Sequence, residues 1–102
     1  MAFYRLGPAS DIAPGFSRDY QVAGHSVVVA NCDGRYHAIE DRCTHDNGPL
    51  GEGRLWGCQV ECPRHGARFD LATGRAMSLP AVRPVAAYVV RVVDGELEID
   101  LD

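Results

Sequence analysis

Apolar and polar residues alternate with a period of two over much of the chain, the repeat of a half-buried strand rather than of a helix. The clearest case is Glu96-Leu97-Glu98-Ile99-Asp100-Leu101, where strict alternation predicts one buried face and one wet face. The run before it, Ala87–Val93, is rich in valine, and Asp94-Gly95 joins the two as a hairpin. A second Asp-Gly pair, Asp33-Gly34, joins Ser26–Cys32 to Arg35–Glu40, and Arg18–Ala23 leads into that hairpin through Gly24-His25. Helical signals are confined to one short turn over Pro8–Ile12. The pattern predicts an all-β fold, antiparallel sheets in a sandwich or partly open barrel, with residues 1–102 as a single domain. The longest apolar runs, Val27–Ala30 and Val85–Val90, fall far short of the roughly 18–20 residues of a membrane-spanning helix.

Residues 42–80 break the pattern. They hold Gly48, Gly51, Gly53, Gly57, Gly66 and Gly74 with Pro49, Pro63 and Pro80, and only Gln59–Cys62 and Ala67–Leu71 are candidate strands. A loop-rich segment of this length inside a small domain is usually functional, and something other than apolar burial must order it.

Composition narrows the chemistry. Of 102 residues, 46% are hydrophobic and 24% charged, ordinary for a folded chain. The net charge of −4 argues against a nucleic-acid partner, which needs a basic face. All ten basic residues are arginine. Met1–Asp11 does not read as a secretory signal, so the expected location is the cytoplasm, with no membrane partner. Thiols stay reduced there, so the four cysteines are expected to bind metal or pack as small apolar residues rather than form disulfides.

Two of those cysteines sit beside histidines in the loop-rich segment. Cys43-Thr44-His45 and Cys62-Pro63-Arg64-His65 are separated by sixteen residues, giving C-x-H followed by C-x-x-H. Each box offers one thiolate and one imidazole, so together they supply four soft or borderline ligands to one centre. Unrelated loop residues, a structural Cys₂His₂ zinc site and an iron–sulfur cluster with two thiolate and two imidazole ligands all remain open at this level. Zinc sites more often pair like with like, as C-x₂₋₄-C and H-x₃₋₅-H.

These boxes, with Gly66-Ala67-Arg68-Phe69-Asp70, Thr73-Gly74 and Pro80, resemble the Rieske [2Fe–2S] family, and within it the ferredoxins that serve bacterial non-haem iron oxygenases. The resemblance implies a Rieske fold with a cluster-binding subdomain at about 42–80. It implies one [2Fe–2S] cluster, with Cys43 and Cys62 on one iron and His45 and His65 on the other. It also implies a carrier with no catalytic residues of its own. That carrier would be a monomer taking electrons from an NAD(P)H-dependent, flavin-containing ferredoxin reductase and docking transiently, at the cluster tip, on a terminal aromatic-ring-hydroxylating oxygenase. A redox- or iron-sensing module and a zinc-stabilised binding domain are the alternatives. High-potential family members carry extra cysteines and hydroxyl groups near the cluster. The matching positions here are Gly48, Arg64, Ala67 and Phe69, so the resemblance implies a reduction potential in the lower half of the roughly −150 to +300 mV Rieske range.

The remaining candidates are weaker. Cys32 and Cys58 read as separate buried strand cysteines, and His25 and His37 as ordinary surface residues. Asp46, Glu52, Arg64 and Arg68 flank the ligand boxes, either as a solvated rim or as a docking patch. By the resemblance, Pro80 marks a loop covering the cluster.

Overall fold

A computed structural model describes residues 2–42, 50, 53–63, 66–79 and 83–101. Nine strands are described: β1 (Phe3–Pro8), β2 (Ser17–Val22), β3 (His25–Cys32), β4 (Arg35–Glu40), β5 (Leu55–Trp56), β6 (Gln59–Glu61), β7 (Arg68–Asp70), β8 (Ala87–Val93) and β9 (Glu96–Asp100). A 3₁₀ turn, Ala9–Asp11, follows β1 where the short helical turn is expected. Six strands form one antiparallel sheet in the order β1-β9-β8-β4-β3-β2, curled into a nearly closed barrel. The other three form a small antiparallel sheet, β5-β6-β7. No described helix is long and apolar enough to cross a membrane.

The hairpins owe their shape to turn chemistry. Asp33-Gly34 and Asp94-Gly95 both have positive φ at each position (60° and 93°, 51° and 79°), the left-handed pair that matches the twist of the flanking strands. Ala23-Gly24 turns the β2–β3 hairpin with the same signs, 49° and 80°, although alanine has no side-chain group to ease that conformation.

The unbroken apolar run Val27-Val28-Val29-Ala30 is explained by burial on both faces of β3. All four side chains are fully buried, but they alternate between two cores. Val27 and Val29 join Ala38, Leu97, Ile99, Ala9 and Ile12 inside the barrel. Val28 and Ala30 point the other way, with Ile39, toward Leu50, Val60, Ala67, Phe69 and Leu71 of the cluster-side segment. The same strand therefore seals the barrel and seats the small sheet. Alternation on β9 is as the pattern requires, with Leu97 and Ile99 fully buried and their neighbours half-buried.

One expectation is corrected. Cys32, the last residue of β3, and Cys58, in the β5–β6 turn, form a disulfide with their Cα atoms 5.3 Å apart. They are neither separate nor fully buried. The pairing is invisible along the chain because 26 residues separate the two, and only the seating of the small sheet on β3 brings them together. The bridge staples one sheet to the other.

Candidate metal centre

Of the four expected ligands, Cys62 lies within the described residues. Cys43, His45 and His65 lie outside them, as do Asp46, Gly48, Gly51, Glu52, Arg64 and Pro80. Cys62 is the one unbridged cysteine among the described residues, and only 1% of it is exposed. It follows directly on β6 and belongs to the core that joins the two sheets. A thiol placed there is shielded from water on its barrel side by Val28, Ala30 and Ile39 of that core.

Backbone hydrogen bonds fix the frame around it. The Cys62 N–H donates to the Ala67 carbonyl (2.6 Å), and the Gly66 N–H donates back to the Cys62 carbonyl (3.0 Å). These two bonds clamp both ends of the Cys62–Ala67 loop, and Gly66 takes the positive φ (76°) that the turn needs. The described residues that flank 43–49 are tied in a different way. Asp41 Oδ1 accepts the Leu50 N–H at 2.6 Å, joining the residues on either side of 43–49. The Gly53 N–H then donates to the Leu50 carbonyl at 2.9 Å. Gly53 passes so close to the Glu61 carbonyl that a Cβ there would overlap it, so this glycine is required by backbone approach. A third tie brings the segment before Pro80 alongside. The Met77 N–H donates to the Arg68 carbonyl (2.7 Å), and Ser78 Oγ accepts the Arg68 N–H (3.0 Å).

The positions that lack a hydroxyl are fully buried. Ala67 and Phe69 present only carbon to the core that holds Cys62. Neither side chain can donate a hydrogen bond to sulfur.

Beyond the ligand boxes, the outer face of the small sheet carries a cluster that sequence reading found only in part. Glu61 and Arg68 are cross-strand partners, with Arg68 Nε 3.6 Å from Glu61 Oε1. Trp56 Nε1 donates to the same Glu61 oxygen at 3.1 Å. The Arg68 and Arg54 guanidinium carbons lie 4.5 and 5.1 Å from the Trp56 ring centroid. Two cations and one carboxylate thus surround a 42% exposed indole. Met77 and Leu79 are exposed in the segment tied to Arg68. Arg68 was legible from its place beside the second box. Trp56 and Arg54 were not, because the two-residue strand β5 leaves no periodic signal. Cys32 and Cys58 lie away from Cys62, at the opposite end of β6. His25 is exposed and stands edge-on to the Tyr88 ring at 6.2 Å, whereas His37 is half-buried on β4. Among the described residues, no three His, Cys, Asp or Glu side chains group as a metal site.

Comparison with known proteins gives this geometry its context. The Rieske [2Fe-2S] domain family matches residues 2–89. Over 102 residues the chain is 33% identical to the ferredoxin component of biphenyl 2,3-dioxygenase from Rhodococcus jostii (strain RHA1), covering 100% of this chain and 95% of that protein. The ferredoxin of carbazole 1,9a-dioxygenase from Nocardioides aromaticivorans IC177 has a TM-score of 0.95 at 31% identity, covering 100% of both chains. A chain in the complex of reduced oxygenase and oxidized ferredoxin in carbazole 1,9a-dioxygenase has a TM-score of 0.89 at 35% identity, covering 95% of this chain and 91% of that one. A clamped loop that buries a free cysteine between two sheets suits a thiolate ligand shielded from water. With the family match over most of the sequence, it follows that the chain belongs to the Rieske [2Fe–2S] family and that its cofactor is a Rieske-type [2Fe–2S] cluster.

Proposed function

We propose that this chain is a one-electron carrier, a single domain over residues 1–102, that passes electrons from a flavin-dependent, NAD(P)H-oxidising reductase to a terminal non-haem iron oxygenase of the aromatic-ring-hydroxylating kind. Cys43 and Cys62 hold one iron of its cluster, and His45 and His65 hold the other. When bound, the cluster supplies a one-electron couple. The observation that carries this reading is the buried, unbridged Cys62 on its clamped loop, in a chain alike over its length to the ferredoxin components of aromatic dioxygenase systems.

The chain's own residues perform three tasks. The core around Cys62 keeps water from its barrel side, so charge at the thiolate is poorly screened there. Ala67 and Phe69 withhold hydroxyl donors from sulfur and keep the potential low, because such donors favour the more negative, reduced state. Arg54 and Arg68 ring Trp56, with Met77 and Leu79 exposed in the segment tied to Arg68. That surface offers an apolar centre with an arginine rim, suited to brief docking of a partner with an acidic margin. The chain carries out no bond chemistry at its cluster, acts as a monomer, and works in the cytoplasm, where an NAD(P)H-oxidising reductase draws its substrate and where reducing thiols meet the Cys32–Cys58 bridge.

Reconstitution tests the reading. Purified protein is expected to be brown, with two irons and two sulfides per chain and a midpoint potential below about +75 mV, the centre of the Rieske range. Product formation by a reductase and an aromatic-ring dioxygenase should depend on adding it. A colourless protein holding one zinc overturns the carrier assignment. Turnover that proceeds equally well without the chain leaves the sensing role in its place.

A further inference from the structure

The Cys32–Cys58 bridge lies outside the metal centre and plays no part in the electron transfer proposed above. It borders a cleft of about 510 Å³, walled by Asn31, Asp33, Pro14 and Leu55 as well as the two cysteines. That volume lies within the range of sites that hold small molecules. The cleft is a built feature. Asn31 is 97% buried by its 3% exposure, and its side chain donates to the Ile12 carbonyl (2.9 Å) and accepts the Gly34 N–H (2.7 Å). On the opposite wall, the backbone at Gly57 turns with φ 60° and open space on its Cβ side. Both cysteines are half-buried and pack against the core that contains Cys62.

We propose that Cys32–Cys58 is a thiol–disulfide exchange site for a low-molecular-weight thiol, and that opening it loosens the small sheet that carries Cys62. The first half stands on the bridge and its cleft alone. The link to cluster retention rests on Cys62 as a ligand. In the exchange, a thiolate attacks one Sγ, forms a mixed disulfide and releases the other cysteine as a thiolate. A second thiol then displaces the first. One protein disulfide and two thiols become two cysteine thiols and one small-molecule disulfide, with the two thiol protons ending on Cys32 and Cys58. Among the described residues Asp33 is the one charged residue lining the cleft, so a cationic thiol enters more readily than an anionic one.

The consequence follows from topology. Cys58 leads directly into β6 and Cys62, and its carbonyl accepts the Leu71 N–H (2.9 Å) at the end of β7. With the bridge open, the covalent tie of the Cys58 turn to β3 is lost and apolar packing against the shared core remains. A bridge spanning a sequence separation of 26 restricts the unfolded chain enough that opening it should raise local opening of the small sheet about tenfold or more.

The experiment combines residue-resolved alkylation with hydrogen exchange on the purified holoprotein. Before reduction, Cys32 and Cys58 are expected to resist iodoacetamide. After mild treatment with mercaptoethanol both should be labelled, and exchange at the Val60 and Phe69 amides should rise about tenfold or more. Cysteamine should open the bridge faster than mercaptoethanesulfonate by about threefold or more, and Asp33→Asn should shrink that ratio. Cluster absorbance should decay faster once the bridge is open. In the Cys32→Ser/Cys58→Ser variant decay should be fast whether or not thiol is added, which separates loosening from direct attack of thiol on the cluster. Labelling of both cysteines before any reduction overturns the bridge. Unchanged exchange at Val60 and Phe69 after it opens overturns the coupling. Faster exchange in a protein that never held a cluster supports the inference and sinks the carrier reading instead.

Discussion

The barrel and the small sheet are built on opposite principles. The barrel closes six strands of five to eight residues around Val27, Val29, Ala38, Leu97 and Ile99, so its own alternation supplies its core. The small sheet has strands of two or three residues and borrows its core from the outer face of β3 and β4. Three such strands are too short to stand alone in water. Extra ties therefore gather there: a disulfide, clamped loops, and glycines forced by backbone contact. The difference teaches where function is placed. The part that persists by its own burial is the scaffold, and the part that needs external ties carries Cys62.

The largest test of that contrast sets one core substitution against another. Leu97→Ala should cost about 2–5 kcal/mol and Phe69→Ala about 3–5 kcal/mol. Leu97→Ala is expected to lower the far-UV and cluster-absorbance midpoints together in a denaturant titration. Phe69→Ala should bring the absorbance transition below the far-UV one. Coincident transitions in Phe69→Ala would mean that the two layers unfold as one unit, and the contrast would fail.

Glycine substitutions sharpen it at smaller cost. Gly74 has φ 79° and a Cβ there would overlap the Val85 carbonyl, whereas Gly24, with φ 80°, has open space around it. Gly24→Ala should lose about 1 kcal/mol of stability from backbone strain alone, and Gly74→Ala clearly more, about 2–3 kcal/mol. Equal losses by chemical denaturation would show that the close approach at Gly74 relaxes freely.

Docking comes next in size. Leu79→Asp places a charge on a 77% exposed leucine in the segment tied to Arg68. Reduction of the oxygenase should slow about tenfold, equivalent to about 1.4 kcal/mol, with the visible spectrum unchanged. An unaltered rate removes that segment from the docking surface. The smallest effect belongs to the barrel exterior. Arg91 stacks 3.6 Å from the Phe3 ring centroid and pairs with Glu98 at 2.7 Å, and its side chain is 51% exposed. Arg91→Ala should change stability by less than about 1 kcal/mol and leave electron transfer intact. A larger loss, read from the unfolding midpoint, would make that pair structural.

Legibility followed the same division. The β3–β4 and β8–β9 hairpins were readable because Asp-Gly turns and period-two alternation are local properties of the chain. The two Cys/His boxes were readable because a cysteine and a histidine two or three positions apart are also a local feature. Of their four expected ligands only Cys62 lies among the described residues, buried in the core between the two sheets, and the ligand set stays a proposal. Leu55–Trp56 is not legible because two residues carry no period, and the outer cluster of Trp56, Arg54 and Glu61 is hidden with it; Phe3–Pro8, with its burial pattern irregular and a proline at its end, gives no clean alternation either.

By itself the sequence determined seven of the nine described strands, all but Phe3–Pro8 and Leu55–Trp56, together with the two chemically mixed boxes and the family they resemble, since these depend on residues near one another along the chain. Only the tertiary structure decided that Val27-Val28-Val29-Ala30 serves two cores at once, because burial on both faces requires a second layer to arrive. Only the tertiary structure paired Cys32 with Cys58. Compartment argued for two free thiols, but a disulfide needs two sulfurs close in space, and the seating of the small sheet on β3 sets that distance.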